Sequence, residues 1–205
     1  MRLHEARRDL YRRLAKEQGY KSRAAFKLIE ATEKYNFIDK GDRVVDFGAA
    51  PGGWLQVCAQ LVGPSGRIVG VDFREIHIKD KNVATIAMDV NNSTVADRVI
   101  RILGREADVV LSDLAPSVSG VWELDQTRQA DLTLRVLDLS GSLLRRGGSA
   151  FLKLFEGERS PEVREVLWKR FDVVRAVKPA ASRSASSELY YYCEGWRGGP
   201  PNSAG

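Results

Sequence analysis

Cysteine, histidine and long apolar runs are what this sequence has least of. Cys58 and Cys193 are the only cysteines, too few for a disulfide framework or a four-thiolate zinc site. Both lie in apolar stretches, as reduced core thiols commonly do, so a reducing, cytoplasmic compartment is expected. His4 and His77 stand far apart without ligand spacing, and no metal is expected. No run approaches the roughly 18 apolar residues of a membrane span, and the charged N-terminus is unlike a signal peptide. No anchor or leader is therefore expected.

What is there is a chain of 205 residues, 43% apolar, enough for one domain with a full core. Its net charge of +5 is concentrated at the front. Residues 1–27 hold Arg2, Arg7, Arg8, Arg12, Arg13, Lys16, Lys21, Arg23 and Lys27 against Glu5, Asp9 and Glu17, so the remainder is slightly acidic. Most such runs are a solvated helix face. A basic segment that also carries Tyr11 and Tyr20, set before a near-neutral domain, equally suits a phosphate-binding arm. The expected organisation is a basic arm over 1–21, a domain over 22–195, and a loose tail over 196–205, where Gly-Gly-Pro-Pro-Asn-Ser-Ala-Gly is too poor in apolar residues to pack.

Between arm and tail, strand-like apolar runs alternate with helical stripes. Strands are expected at Val44–Phe47, Ile68–Val71, Thr85–Met88, Val109–Leu111, Ala150–Phe155, Phe171–Ala176 and Leu189–Cys193. Ser22 is a candidate cap for a helix to about Tyr35. Further stripes are Trp54, Val57, Cys58 and Leu61, then Val95, Val99 and Leu103, then Leu132, Val136, Leu139 and Leu143. Ser160-Pro161 opens another helix. This pattern predicts an α/β fold, Rossmann-like, with a seven-stranded, mostly parallel sheet and helices on both faces. The connection from Pro179 to Ser187 has no helical pattern and is short for a right-handed crossover, so the last strand is expected to run antiparallel.

The first strand leads into Asp46-Phe-Gly48-Ala-Ala-Pro51-Gly52-Gly53-Trp54, a glycine-rich turn where open α/β sheets bind nucleotides. A dinucleotide fingerprint would read G-x-G-x-x-G and aim N–H groups at a pyrophosphate. Here the spacing is G-x-x-x-G-G and Pro51 removes a donor. That suits S-adenosylmethionine, which has no phosphate, better than NAD. Asp72, Asp89 and Asp113 end the next three strands at the same rim. Singly each is an ordinary polar strand end. Together they suit an adenosine, Asp72 accepting from the ribose hydroxyls and Asp89 contacting the adenine edge, with Phe73 and Val90 beside them.

Five ordered segments carry a resemblance: Ser22-Arg-Ala-Ala-Phe-Lys27-Leu, Asp46 to Trp54, Ser112-Asp113-Leu-Ala-Pro116, Phe151-Leu-Lys153-Leu-Phe155, and Lys178-Pro-Ala-Ala-Ser-Arg183 with Ser187-Glu188-Leu-Tyr190. Over about residues 20–193 the chain resembles the FtsJ-type (RrmJ-like) ribosomal RNA ribose 2′-O-methyltransferases. The resemblance implies a catalytic tetrad at Lys27, Asp113, Lys153 and Glu188, with Lys153 as base. It implies S-adenosyl-L-methionine as cofactor, in a pocket that includes Gly52, Trp54, Asp72, Asp89 and Asp113. Its implied substrate is a uridine ribose in large-subunit, 23S-type ribosomal RNA, as free RNA or in the assembled subunit. The residues alone allow a structural salt-bridge cluster as readily, although Lys153 amid Phe-Leu-Lys-Leu-Phe needs a compensating partner if buried.

Arg7, Arg8, Arg12, Arg13, Lys21, Arg23 and Arg183 are the candidate RNA contacts, together with the hydroxyls of Ser182, Ser184 and Ser186. Competing readings are a transfer-RNA anticodon-loop 2′-O-methyltransferase, an NAD-dependent oxidoreductase, and a non-catalytic RNA-binding module. The expected assembly is a monomer.

Overall fold

The computed structural model describes residues 3–182 and 186–199, with side chains from residue 10 onward. Arg183, Ser184 and the side chains of Arg7 and Arg8 lie outside the described residues. In chain order the elements are α1 (Leu3–Glu17), α2 (Ala25–Tyr35), β1 (Arg43–Phe47), α3 (Gly53–Val62), β2 (Arg67–Asp72), β3 (Val83–Ala87) and α4 (Val95–Leu103). There follow β4 (Ala107–Ser112), α5 (Trp122–Leu143), β5 (Leu144–Phe155), α6 (Ser160–Arg170), β6 (Phe171–Val177) and β7 (Glu188–Trp196).

The strands form one seven-stranded sheet in the order β3-β2-β1-β4-β5-β7-β6. β1 to β5 pair in parallel, while β7 runs antiparallel to both β5 and β6. That is the expected α/β architecture, reversed last strand included. β1, β2 and β4 are apolar on both faces because both are covered. Leu28 of α2 and Trp54, Leu55 and Cys58 of α3 pack on one side. Val99 and Leu103 of α4, Val136 and Leu143 of α5, and Leu167 of α6 pack on the other.

Four local readings change. Ser22 does not cap α2: the helix begins at Ala25, no side chain caps it, and the Ala25 N–H donates to the Ser22 carbonyl. The Ser22 hydroxyl lies instead against Gly53, where no Cβ would fit. β5 begins at Leu144 rather than Ala150, through Arg145-Arg146-Gly147-Gly148, which has no apolar alternation to announce it. Only Leu144 pairs there, with Ala107, before the register shifts. The basic segment is a helix whose Tyr11 packs on Phe26 at 5.5 Å. The expected tail is partly strand: Trp196 is buried against Phe171, and the Arg197 N–H donates to the Arg170 carbonyl.

One rim collects the chemistry. β1, β2, β4 and β5 all end there, and the antiparallel β7 starts there, with Glu188 opposite Phe155. The loops are tied down by backbone bonds, Gly48 N–H to Val71 O at 2.8 Å and Asp113 N–H to Phe47 O at 3.0 Å.

Candidate active site

Four elements bring the predicted quartet together. Lys27 enters from α2, Asp113 from the end of β4, Lys153 from β5, and Glu188 from the start of β7. Lys27 Nζ donates to Glu188 Oε1 at 2.7 Å, and Lys153 Nζ donates to Asp113 Oδ1 at 2.9 Å and to the Asp113 carbonyl at 3.1 Å. Lys153 Nζ also lies 4.0 Å from Glu188 Oε2, so the two ion pairs join into one network. Both lysines are 6% exposed. Unpaired charges at that depth would cost several kcal/mol each, and the carboxylates offset this.

Tyr190 links the pairs, and the sequence reading missed it. It stands directly opposite Lys153 in the β5–β7 ladder. Its hydroxyl donates to Asp113 Oδ1 at 2.6 Å and accepts from Lys27 Nζ at 2.8 Å. Burial, with Asp113 and Glu188 nearby, pushes the phenol well above its ordinary pKa, so it stays a donor. Alternation along β7 puts residues 188 and 190 on one face, a signal that could have identified it. For Asp113, burial pushes upward but is outweighed by Lys153, Lys27 and Tyr190, which hold the carboxyl below its ordinary value.

Ser182 and Ser186 were expected to face RNA. The Ser182 hydroxyl instead donates to Glu188 Oε1 at 2.8 Å, and the Ser186 hydroxyl accepts the Glu188 N–H at 3.1 Å. Lys178 Nζ adds a bond to the Glu188 carbonyl at 2.5 Å. Ser182 thus holds the Glu188 carboxylate, while Ser186 and Lys178 hold its backbone. Arg23 is partly engaged too, donating to the Ala181 carbonyl at 3.2 Å.

Beside the quartet is a cavity of ≈ 220 Å³ lined by Asp46, Gly48, Pro51, Gly53, Trp54 and Asp113, with Lys27 and Arg23 at its α2 side. Gly52, Asp72, Phe73, Asp89 and Val90 do not line it. The glycines also have a packing role. A Cβ on Gly48 would meet the Leu114 backbone nitrogen at 2.7 Å, and one on Gly52 would meet Ile78 at 2.7 Å. They let protein segments cross closely beside the cavity. Trp54 is buried and its indole N–H donates to the Ala24 carbonyl at 2.7 Å, which ties α3 to the start of α2.

Asp46 has both carboxylate oxygens buried with no hydrogen-bond partner among the described residues. Burial, then Asp113 and Asp72, push its pKa well up. A buried acceptor pair facing a cavity calls for a cationic donor, and the methionyl ammonium of S-adenosylmethionine is such a group. The residues therefore fit that cofactor. Asp72, expected to accept from ribose, is engaged by the Ala50 N–H at 3.0 Å and by the Arg74 guanidinium at 3.0 Å. Arg74 is itself more than half exposed. Asp89 accepts the Asn91 N–H at 2.8 Å, Val90 is buried in the core, and Phe73 is 74% exposed.

Residues 20–196 match the family model of the FtsJ-like methyltransferases. The chain belongs to that family. It is accordingly a methyltransferase whose methyl donor is S-adenosyl-L-methionine. Among its relatives, the ribosomal RNA large subunit methyltransferase E of Methanothermobacter thermautotrophicus is 44% identical, over 95% of this chain and 92% of its own. The protein of the same name in Cenarchaeum symbiosum is 43% identical, over 97% of this chain and all of its own. A solved structure from Plasmodium falciparum, described as a ribosomal RNA methyltransferase, superposes with a TM-score of 0.78 at 27% identity, over 88% of this chain and all of that one.

Proposed function

We propose that this methyltransferase acts on the 2′-hydroxyl of a uridine ribose in large-subunit ribosomal RNA, with Lys153 as general base. The observation that carries the reading is the Lys27–Asp113–Lys153–Glu188 network, two of whose members, Lys27 and Asp113, line the cavity. The names of the relatives support ribosomal RNA as substrate. Two buried thiols, and no described helix long and apolar enough to cross a membrane, support work in the cytoplasm.

When bound, the cofactor supplies an electrophilic methyl group on a good leaving group. Asp46 would hold its ammonium, Asp72 its ribose once Arg74 swings away, and Asp89, Phe73 and Val90 its adenine. Positioning of the incoming oxygen then governs the rate. Asp113 fixes Lys153 Nζ through two bonds, and Lys153, once it has given up its own proton, takes the hydroxyl proton as the oxygen attacks. Lys27, held by Glu188 and Tyr190, donates to the ribose. Outside the quartet, the basic face of α1, with Lys21, Arg23 and Arg183, makes phosphate contacts that set the RNA in place.

An Arg at position 153 keeps the charge but not the base. Lys153→Arg is expected to cut transfer of labelled methyl into ribosomal RNA about 10²–10⁴-fold, with S-adenosylmethionine affinity unchanged by equilibrium dialysis. Near-native turnover in that variant would overturn the assignment of the base.

A further inference from the structure

The described residues expose three large aromatic side chains, and one of them leads to the quartet. Phe73 directly follows β2 and Trp168 lies on α6, neither with a ring contact to the quartet among the described residues. Trp122, 45% exposed, opens α5 and lies on Phe155 with ring centroids 5.8 Å apart and planes at 26°. Phe155 is two residues beyond Lys153 on the same strand, its ring centroid is 6.0 Å from Lys153 Nζ, and its backbone pairs with Glu188. The two rings thus form a short stack that starts at the reacting amine and ends in solvent.

The stack is held ready. The Asp125 N–H donates to the Val121 carbonyl at 3.0 Å, which closes the first turn of α5 around Trp122. The Asp125 carboxylate accepts the Ser119 N–H at 2.9 Å, and the Ser119 hydroxyl accepts the Val121 N–H at 3.1 Å. Val118, Val121 and Leu124, near Trp122 in the chain, are exposed apolar side chains as well. An exposed indole in such an apolar segment is costly unless something covers it. Any ribose presented to Lys153 carries its base within a few ångströms, so the nearest large flat ligand of this site is that base.

We infer that Trp122, backed by Phe155, is the platform on which the base of the target nucleotide stacks once it is splayed out of the RNA. The inference rests on the ribose 2′-hydroxyl reading above and adds to it a base subsite. Stacking accepts any base because every base has a π face, so the platform positions the nucleotide, while its identity is selected elsewhere. A rigid ring already in place loses little freedom when the base arrives.

The test pairs protein and RNA changes. The wild-type protein is first used to locate its methylated nucleotide in a ribosomal RNA fragment, which is then made in intact form and with the base of that nucleotide removed. On intact RNA, Trp122→Ala is expected to lower kcat/KM by about 5- to 100-fold, with S-adenosylmethionine affinity and melting temperature near wild type. Trp122→Phe restores most of the loss. Trp122→Leu, apolar but without a π face, does not. On the abasic RNA, wild type and Trp122→Ala converge. The platform is overturned if Trp122→Ala or Trp122→Leu matches wild type on intact RNA, or if alanine costs the same factor on both RNAs. Wild-type protein that methylates no RNA defeats the substrate reading and takes the platform with it, whereas an active wild type matched by Trp122→Ala defeats the platform alone.

Discussion

Asp46 sits fully buried with two oxygens that have no partner among the described residues, a costly arrangement for a carboxyl group and one that a cationic ligand relieves. Its raised pKa in the fold means that the folded chain binds this proton more tightly than the unfolded chain does. By linkage this destabilises the fold above the ordinary carboxylate pKa, and the cost fades as pH falls toward that value. Asp113 works in the opposite sense: its lowered pKa contributes stability above the unfolded value, lost as pH falls through the folded one. Asp46→Asn is therefore expected to raise the melting temperature at pH 7 by roughly 2–4 °C or more, for each kcal/mol relieved, and to weaken S-adenosylmethionine binding. Thermal melts from about pH 4 to 8 would show the gap between variant and wild type closing as pH falls. A variant less stable than wild type at neutral pH would show that the carboxylate has a partner after all. At this scale the quartet was readable, because the resemblance named its members and the reversed last strand brought Glu188 to the rim. The engagement of Asp72 by Arg74 was not, nor that of Ser182 by Glu188, because each depends on how a loop folds back, which no periodicity encodes.

Among the elements, α2 has the task of carrying Lys27 to the rim without a side-chain cap at its own start. Its attachment comes from α3, through the Trp54 indole and the Ala24 carbonyl, and from the stack of Phe151 on Tyr190 beneath, at 4.9 Å and 12°. Trp54→Phe keeps most of the packing but leaves a part-buried carbonyl without its donor, a loss of about 1–3 kcal/mol. The expected result is a melting temperature lower by about 2–10 °C and a fall in turnover larger than the change in cofactor affinity, since Lys27 moves with α2. Unchanged stability and turnover would mean that α2 is anchored by apolar packing alone. The strands were legible because doubly covered strands leave uninterrupted apolar runs. The Leu144–Ser149 stretch and the start of α2 were not, since one pairs irregularly through Arg and Gly and the other is set by Ser22 lying against Gly53.

At the scale of the whole molecule, charge is divided by position: the buried quartet is balanced, while the excess of basic residues rides on α1 and the approach to α2. Tyr11 and Ala15 turn inward, Tyr11 onto Phe26, and this leaves Arg12, Arg13 and Lys16 exposed. Arg13 is partly spent on Glu17 at 3.6 Å, an exposed pair that phosphate can readily outcompete. A cationic face joined to the helix that delivers Lys27 suits the capture of a polyanion ahead of the chemistry. Counterion release then requires RNA affinity to fall with salt, with a slope of about 0.7–0.9 in log K per log salt for each phosphate neutralised. Replacing Arg12, Arg13 and Lys16 together by Gln keeps the helix, because Gln is a comparable helix former, and removes three charges. The triple variant is expected to bind ribosomal RNA more weakly at low salt and to show a shallower slope, by about 2 if all three meet phosphate. Its kcat at saturating RNA, its cofactor affinity and its melting temperature should match wild type. Filter binding across a salt series reads the slope directly. An unchanged slope would place the RNA path away from α1 and return that helix to an ordinary solvated surface.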